Sequence, residues 1–262
     1  MIQINARPKR AVIALAGQDR VGFLQGLSSN DVTQAKPGQA VWSALLSPQG
    51  RWLADFFIFS DGERLLIDCE RDQAEMIMQR LGRFKLRAKI SLAPTDLHVG
   101  VAWNGQPEGD FVAPDPRLPE AGFRIISASP IIGNASDDAY DRHRITLGLP
   151  DGTRDLEADR TLLLEAGFNE LHGVSWSKGC YMGQELTART RYRGLVKQRL
   201  LPVEADSDLA PGPIFAGDVQ AGEVRSVVGK LGLALIRLDR LADPLSANGQ
   251  KLRVSKPDWV EL

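Results

Sequence analysis

Two hydrophobic periodicities alternate along the first part of the chain, and each predicts one kind of element. Residues 11–16 form a short apolar run that is typical of a buried strand. The apolar positions Phe23, Leu24 and Leu27 that follow share one face of a helix. We expect Asp19 to cap the start of that helix, because a short acidic side chain can accept hydrogen bonds from the first free amides.

Further along, apolar runs and turn residues predict a strand meander followed by a helix. Residues 40–70 hold three apolar runs, which are separated by turn signals at residues 48–50 and 61–62. From 71 to 84 the apolar residues recur at helical spacing, and residues 89–103 return to the pattern of strands. Helices interleaved with hairpins favour an α+β fold over a doubly wound parallel sheet.

The second half of the chain changes pattern towards its end. Residues 104–119 are rich in Pro, Gly and Asp and predict a linker, residues 122–128 predict a strand, and residues 137–147 predict a short helix. The last part of the chain consists of short apolar runs split by Gly, Pro and Asp, which is typical of a small β-barrel. We therefore predict an α+β core at 1–195 and a C-terminal barrel at 196–262.

Composition adds expectations about location and partners. The formal net charge of −1 excludes a protein whose whole surface coats nucleic acid or an anionic membrane. The only cysteines, Cys69 and Cys180, cannot build a disulfide-rich scaffold, which indicates a reducing compartment. No apolar run approaches the roughly 20 residues that cross a bilayer, and the apolar residues 11–16 fit a first strand better than a signal peptide. We expect a soluble, cytoplasmic protein without a membrane partner.

The segment KGCYMGQELTARTRYRG, residues 178–194, contains the strongest candidate chemistry. Lys178 and the N-terminus of a helix predicted to begin near Gly183 would both favour the thiolate of Cys180, the form that attacks electrophiles and binds metals. Gly179 allows a tight turn, and Glu185 can satisfy the first amides of the helix. The alternative is that Cys180 is a small buried residue in a glycine-rich turn.

A lone cysteine limits the reactions that this segment can support. Iron–sulfur clusters usually take four protein ligands, so Cys180 could hold a cluster only by sharing it with other chains or small thiols. Cysteine-protease chemistry needs a histidine base, but His98, His143 and His172 are scattered singly with no motif around them. Cys69 ends an apolar run and is most simply a packed core residue.

Two basic clusters stand out from the balanced overall charge. Residues 178–199 hold six basic residues and one acid, and residues 80–89 hold five basic residues and no acid. If the fold brings the clusters together, they form an anion site for a polyglutamate tail, a phosphate backbone or an acidic partner; the alternative is two separate solvated faces. In the first cluster we assign ligand contacts to Arg189, Arg191, Tyr192 and Arg193. The aromatic ring of Tyr192 among these arginines suits stacking on a heterocycle.

Asp55 is a carboxylate inside the apolar run WLADFFIF. A carboxylate can accept hydrogen bonds from the adjacent ring and amino N–H donors of a pterin, so Asp55 is a candidate cofactor contact. Equally, it can face solvent on an amphipathic strand that turns Trp52 and Phe56 to other faces.

The block KGCYMGQE with its basic continuation resembles the signature of the YgfZ family, which comprises folate-binding proteins linked to iron–sulfur cluster assembly and repair. The resemblance covers nearly the whole chain, since GQDRVGFLQGLSSNDV, LLSPQGRWLADFFI, DPRLPEAGFR, LLLEAGF and GLALIRL occur in the order expected of that family. The T-protein aminomethyltransferases of glycine cleavage are similar in overall fold and have an LEAG segment, but they lack the cysteine block.

The resemblance implies a T-protein-like, folate-binding core of two interlocked α+β subdomains with a small C-terminal β-barrel. It also implies tetrahydrofolate or a derivative as cofactor, and maturation or repair of [4Fe-4S] proteins, including enzymes that modify tRNA. Cys180 carries over as the functional cysteine and cluster ligand, and Asp55 matches a folate-facing carboxylate more loosely. The residues that frame Cys180 in the motif are Lys178, Gly179, Tyr181, Gly183, Gln184 and Glu185.

Three functional hypotheses follow. The first is an assembly or repair factor, rather than a conventional enzyme, whose Cys180 thiolate shares a transient cluster with an A-type carrier protein or a [4Fe-4S] client enzyme. The second is a folate-dependent aminomethyl or one-carbon transferase that uses the same pocket for chemistry. The third is an adaptor that binds tRNA through residues 178–199, with an affinity that falls steeply with salt.

Overall fold

The computed structural model describes residues 1–261, and these residues divide into two compact units. The first unit comprises residues 1–49, 53–136 and 172–184. The second unit comprises residues 50–52, 137–171 and those from 185 onwards. This division is discontinuous in sequence, and the predicted domain boundary near residue 196 stays a prediction.

The elements of the first unit follow the apolar patterns of the sequence. Its helices and strands are β1 (Gln3–Ala6), β2 (Arg10–Ala16), α1 (Arg20–Gln25), β3 (Val41–Leu46), β4 (Trp52–Ser60), β5 (Arg64–Glu70), α2 (Ala74–Phe84), β6 (Ser91–Pro94), β7 (His98–Trp103), β8 (Phe111–Pro114) and β9 (Phe123–Ser127). Short 3-10 turns lie at Val32–Gln34, Arg71–Gln73 and Pro119–Ala121. The predicted strand at 11–16, the three-strand meander and the helix after residue 71 are confirmed.

These strands form two sheets, one of five strands in the order β3-β4-β5-β2-β6 and one of four in the order β1-β7-β9-β8. β2 pairs antiparallel with both β5 and β6, and β7 pairs antiparallel with β1 and β9. An apolar core that includes Leu15, Leu24, Phe56, Ile67 and Ile77 joins α1 and α2 to the five-stranded sheet. Helices packed on antiparallel strands confirm the α+β class.

Two local predictions are wrong. The Asp19 side chain makes no capping hydrogen bond to α1. Its Oδ2 instead accepts from the backbone N–H of Lys89 at 2.7 Å, because that distant turn lies against the start of the helix. The predicted linker at 104–119 contains β8, an edge strand that pairs with β9. Prolines are tolerated in an edge strand, so this composition conceals one.

A buried carboxylate connects the two sheets of the first unit. Asp68 on β5 is fully buried and accepts from Arg10 Nε on β2 and, at 2.8 Å, from Arg124 on β9. Both arginines are themselves buried. Because an unpaired charge is strongly disfavoured in an apolar interior, the carboxylate of Asp68 and the two arginines stabilise one another there.

The same network continues towards the aromatic residues of the core. Asp115 pairs with Arg117 at 2.8 Å, and Arg124 lies 3.5 Å from the centre of the Phe57 ring. Burial alone would raise the pKa of Asp115, but Arg117 and Arg124 outweigh this effect and hold its pKa below the ordinary value. The interior of the first unit is therefore specified by charge as well as by apolar packing.

The second unit is built around a seven-stranded antiparallel sheet. Its elements are α3 (Asp137–Thr146), the larger part of α4 (Gln184–Tyr192), β10 (Gln198–Glu204), β11 (Gly212–Ala216), β12 (Val219–Val228), β13 (Leu231–Arg237), β14 (Leu245–Ala247), β15 (Gln250–Lys251) and β16 (Arg253–Val254), with 3-10 turns at Gly152–Arg154 and Leu238–Arg240. The strand order β15-β14-β11-β12-β13-β10-β16 describes a nearly closed barrel. Buried Arg144 fixes α3 to this sheet by donating to Asp155 at 2.7 Å and to Ser226 Oγ on β12 at 2.8 Å.

Across residues 1–261, none of the helices is long and apolar enough to cross a lipid bilayer.

We expect Asp68→Asn to destabilise the protein severely, because the substitution removes the counter-charge that buried Arg10 and Arg124 share and leaves Arg124 with Asp115 alone, at 3.6 Å. Breaking one partner of a buried ion pair costs about 3–5 kcal/mol, which urea denaturation followed by circular dichroism will measure. The matched control is Asp239→Asn, which breaks a surface pair with Arg237 and should change stability little. Equal effects of the two substitutions would contradict a structural role for the buried network.

Candidate functional site

Cys180 lies in the irregular segment between the 3-10 turn at Gly152–Arg154 and helix α4. Gly179 and Gly183 on either side of it have φ angles of +93° and +79°, a region that side chains with a Cβ rarely adopt. Open space surrounds the position that a Cβ on Gly179 would take, so the backbone angle rather than crowding requires glycine there. The two glycines turn the chain sharply around the cysteine.

Lys178 anchors this segment to the end of α1. Its ammonium group donates to the carbonyl oxygens of Gln25 and Ser28, each at 2.5 Å, and lies 4.9 Å from the centre of the Tyr181 ring. The backbone N–H of Met182 donates to another carbonyl of the same turn. A cation is stabilised at the carbonyl end of a helix, so Lys178 clamps residues 178–182 there.

A further set of hydrogen bonds attaches the preceding residues to the turn after α1. Ser29 Oγ donates to the carbonyl of Gly173 at 2.7 Å, and Asn30 Nδ2 donates to the carbonyl of His172 at 2.7 Å. The backbone N–H of Ser175 donates to the carbonyl of Ser29. The segment that carries Cys180 is therefore fixed along its length despite the lack of regular structure.

Burial lowers the pKa of Lys178 to about 8, and the charge of Asp31 opposes this shift. The structure assigns the ammonium group to the carbonyls of residues 25 and 28. Its predicted role as the cation beside the Cys180 thiolate stays a prediction.

The two cysteines have opposite environments. Cys180 is exposed, whereas Cys69 is buried on β5 and its thiol donates to the carbonyl of Ala11 at 3.7 Å. Burial raises the pKa of Cys69 to about 12, so its thiolate does not form at neutral pH. The alternative of a buried Cys180 is wrong, and the predicted core position of Cys69 is confirmed. Of these two thiols, that of Cys180 is accessible to a partner.

The frame residues after Cys180 start helix α4. The Gln184 side-chain oxygen accepts from the backbone N–H of Tyr181 at 3.1 Å, and α4 begins at Gln184, as expected. Tyr181 is buried, and Glu185 is exposed in the first turn of the helix. That the amides of α4 face the sulfur of Cys180 stays a prediction.

The two basic clusters fall into different units. Residues 80–89 belong to the first unit, whereas the arginines of α4 and the residues after it belong to the second. That the two clusters form one anion site therefore stays a prediction. The ligand contacts assigned to α4 and to the residue after it also stay predictions. The side chains concerned are all exposed: Arg189, Arg191, Tyr192 and Arg193.

Asp55 is enclosed by the five-stranded sheet. The residue is 6% exposed, and its Oδ2 accepts from the indole N–H of Trp42 at 2.8 Å. Its neighbours Trp52 and Phe56 are fully buried as well, so the alternative of a solvent-facing carboxylate on an amphipathic strand is wrong. Contact between Asp55 and a cofactor stays a prediction.

A cavity in the second unit was not predicted from the sequence. Its volume is about 750 Å³, within the range of small-molecule sites. Burial raises the pKa of Glu165 in its wall, and the charge of Arg51 opposes this rise. Other charged residues of the wall are Glu157, Asp159, Arg160, Glu223, Arg225 and Arg237. The sequence signal was Glu165 itself, a single acid in the apolar run LLLEAGF.

Within residues 1–261, no group of three or more His, Cys, Asp or Glu side chains is placed to hold a metal ion. Cys180 is the one exposed thiol among these residues.

We expect Lys178→Met to loosen the Cys180 segment, because it removes two charge-assisted hydrogen bonds worth about 1.5–3 kcal/mol each. The amide of Met182 should then exchange faster with deuterated solvent, which mass spectrometry of peptic peptides will measure. Lys36→Met, an exposed lysine of the same unit, serves as the control. Unchanged exchange in the Lys178 variant would show that the clamp is dispensable.

The fold is similar to that of a known enzyme. The crystal structure of glycine cleavage system aminomethyltransferase T from Bartonella henselae matches with a TM-score of 0.76 and 16% identity, over 99% of this chain and 86% of that one. A family model described as the CAF17 C-terminal beta-barrel domain matches residues 197–262. The chain therefore has a T-protein fold with a CAF17-type barrel, which confirms the predicted fold class.

Sequence relatives narrow this class to a family. The mitochondrial iron–sulfur cluster assembly factor IBA57 homolog of Mycosarcoma maydis is 31% identical over 97% of this chain and 82% of its own length. The corresponding proteins of Mus musculus and Homo sapiens are 30% and 29% identical, each over 95% of this chain and 83% of its own length. The chain belongs to the IBA57 family and hence, in the broad sense, to the YgfZ/CAF17 group. The narrower resemblance of the cysteine block to folate-binding YgfZ proteins stays a prediction.

The relatives also correct one prediction. They are mitochondrial proteins by name, which contradicts the cytoplasmic location expected from the sequence. The physical reason is that a lack of disulfides distinguishes reducing from oxidising compartments, whereas the cytoplasm and the mitochondrial matrix are both reducing.

Proposed function

We propose that the chain is an iron–sulfur cluster assembly factor that presents the Cys180 thiolate as one ligand of a cluster shared with a partner protein. The exposed sulfur of Cys180 carries the proposal, and the names of the IBA57 relatives support it. A cluster usually takes four protein ligands, so the partner supplies the remaining ligands. The cluster is thus cargo that passes through the complex.

The anchoring of the segment supports this role. A ligand that takes part in transfer must keep its position when the partner leaves, and a segment fixed by side-chain and backbone contacts does so. Lys178 and Met182 provide these contacts on both sides of Cys180. The chain then acts by positioning a sulfur atom.

The proposal extends to the partners that the resemblance implies. An A-type carrier protein is the proposed source or acceptor of the cluster, and the proposed clients are [4Fe-4S] proteins, including enzymes that modify tRNA. Both kinds of partner provide thiolates that can complete the coordination of a shared cluster.

Cys180→Ala should abolish the shared cluster while leaving the fold intact, since the residue is exposed. The experiment is anaerobic reconstitution of the chain with an A-type carrier, isolation of the complex, and measurement of iron content and visible absorbance. Cys69→Ala is the matched control, because it removes the other thiol from the core. The proposal fails if the Cys180→Ala complex holds as much iron as the wild-type complex.

A narrower proposal concerns folate. We propose that tetrahydrofolate or a derivative binds the cavity of the second unit, whose volume of about 750 Å³ suits a ligand of this size. Glu165 would accept the N–H donors of the pterin ring, and Arg51 and Arg160 would pair with the glutamate carboxylates. The similarity of the fold to an aminomethyltransferase supports this choice. When bound, the cofactor would supply one-carbon chemistry.

Two substitutions distinguish folate binding in this cavity from folate binding at Asp55, the carboxylate predicted from the sequence. Glu165→Gln should weaken binding of 5-formyltetrahydrofolate about tenfold or more, as expected for loss of a charge-assisted pair, whereas Asp55→Asn should leave it nearly unchanged. Isothermal titration calorimetry measures both. A loss confined to Asp55→Asn would move the site to the five-stranded sheet, and absence of binding by the wild-type chain would remove the folate proposal.

A further inference from the structure

The turn after α2 holds an exposed leucine in a strained backbone conformation. The backbone N–H of Ala88 donates to the carbonyl of Lys85 at 2.7 Å, which closes a four-residue turn with Leu86 in its second position. Leu86 has a φ angle of +39°, and it is 90% exposed. Residues with a bulky side chain are outliers at positive φ, because the Cβ atom approaches the backbone.

Other positive φ angles in the described chain follow the usual chemistry. The remaining non-glycine residues at positive φ between residues 1 and 261 are Asn104, Asp159, His172 and Asn248. Asn, Asp and His are the types that adopt this conformation most readily. Leu86 is therefore the one apolar side chain of residues 1–261 held in this way, and its side chain gains almost no burial within the chain. Strained residues of this kind cluster at functional sites, so Leu86 is a candidate contact residue for a partner.

The charged residues around Leu86 are all basic. We define the basic turn as residues 83–89, in which Arg83, Lys85, Arg87 and Lys89 are exposed and no acid occurs. The carboxylate that contacts this turn is that of Asp19, which binds the Lys89 backbone N–H. The surface thus combines an apolar projection with a positive rim, and it is complementary to an acidic surface that contains an apolar pocket.

The basic turn is continuous with the Cys180 segment. Arg80, one helical turn before it, donates to the carbonyl of Leu46 at 3.0 Å and contacts the Met182 sulfur at 4.0 Å. Phe84 of the basic turn lines the same small crevice as Met182. A protein seated on this turn therefore lies beside the segment that holds Cys180.

We propose that the basic turn is the docking surface for an acidic protein partner, with Leu86 as the apolar anchor that enters a pocket of that partner. The inference rests on the proposed function in one respect: the docked protein is the one that shares a cluster with Cys180. A few residues that are buried in well-packed pockets supply most of the energy of an interface, while rim charges accelerate association. An exposed leucine fits a protein better than RNA, which is bound through phosphates and aromatic stacking.

The test measures binding of the purified full chain to an apo A-type carrier by biolayer interferometry. Leu86→Glu should weaken binding at least about tenfold, because it places a negative charge in the apolar pocket of an acidic partner. The matched control is Ile132→Glu, since Ile132 is also 90% exposed and lies in the same unit. This control should stay within about twofold of the wild-type affinity, because an isolated exposed side chain contributes little.

A second variant separates docking from folding. Leu86→Asn suits the positive φ angle, so its melting temperature should equal or exceed that of the wild type while binding still falls. In Arg87→Glu the association rate should fall and lose part of its dependence on salt.

The outcomes distinguish this inference from the proposed function. If the wild-type chain binds the carrier and Leu86→Glu binds equally well, the docking surface is wrong and the proposed function stands. If the wild-type chain does not bind the carrier at all, the docking surface is rejected, and the iron content of the reconstituted complex decides on the proposed function separately. If Leu86→Glu and Ile132→Glu weaken binding equally, the effect is non-specific and the docking surface is rejected. The docking surface is also rejected if the chain binds tRNA through Arg87 but not Leu86, while substitution of either residue leaves binding of the carrier unchanged.

Discussion

The carboxylate of Asp68, enclosed between Arg10 and Arg124, is the contact on which the first unit depends. Water cannot reach this group, so the two guanidiniums must replace its hydration. Arg10 on the five-stranded sheet donates to Oδ1 of this carboxylate, and Arg124 on the four-stranded sheet donates to Oδ2. Satisfying both oxygens therefore requires the two sheets to meet in one arrangement. Apolar side chains tolerate sliding and repacking, whereas a buried ionic network accepts few alternatives. The network therefore defines how the sheets of this unit fit together.

The position of Cys180 follows from this arrangement. Leu24 of α1 belongs to the apolar core of the five-stranded sheet, so the sheet fixes the helix. The carbonyls at the end of that helix hold Lys178, and Lys178 holds the cysteine segment. A cysteine outside regular structure is thus supported by a chain of contacts that begins in the core. An irregular segment gains a fixed geometry in this way, as the proposed transfer of a cluster between proteins requires.

The sequence predicts what depends on local pattern and misses what depends on distant partners. The meander and α2 were predictable because apolar periodicity is a property of neighbouring residues. The clamp was not, because Lys178 and Gln25 are separated by 153 positions. The same limit explains Asp19, whose partner is the backbone of Lys89, and Asp55, whose partner is Trp42. For Cys180 the motif identified the residue, while its exposure and support became evident only with the fold. Glu165 showed a weaker signal, since one acid in an apolar run is also compatible with a surface position.

The contrast between the two cysteines has a practical meaning. Cys69 is excluded from solvent and its thiol stays protonated, so thiol-specific reagents in water encounter a protein with one accessible thiol. A spin label or fluorophore can therefore be attached to the native sequence beside Gly179 without removing the other cysteine. By the same reasoning, air oxidation of the isolated chain leads to a covalent pair of chains joined through that sulfur, and a reductant restores the single chain.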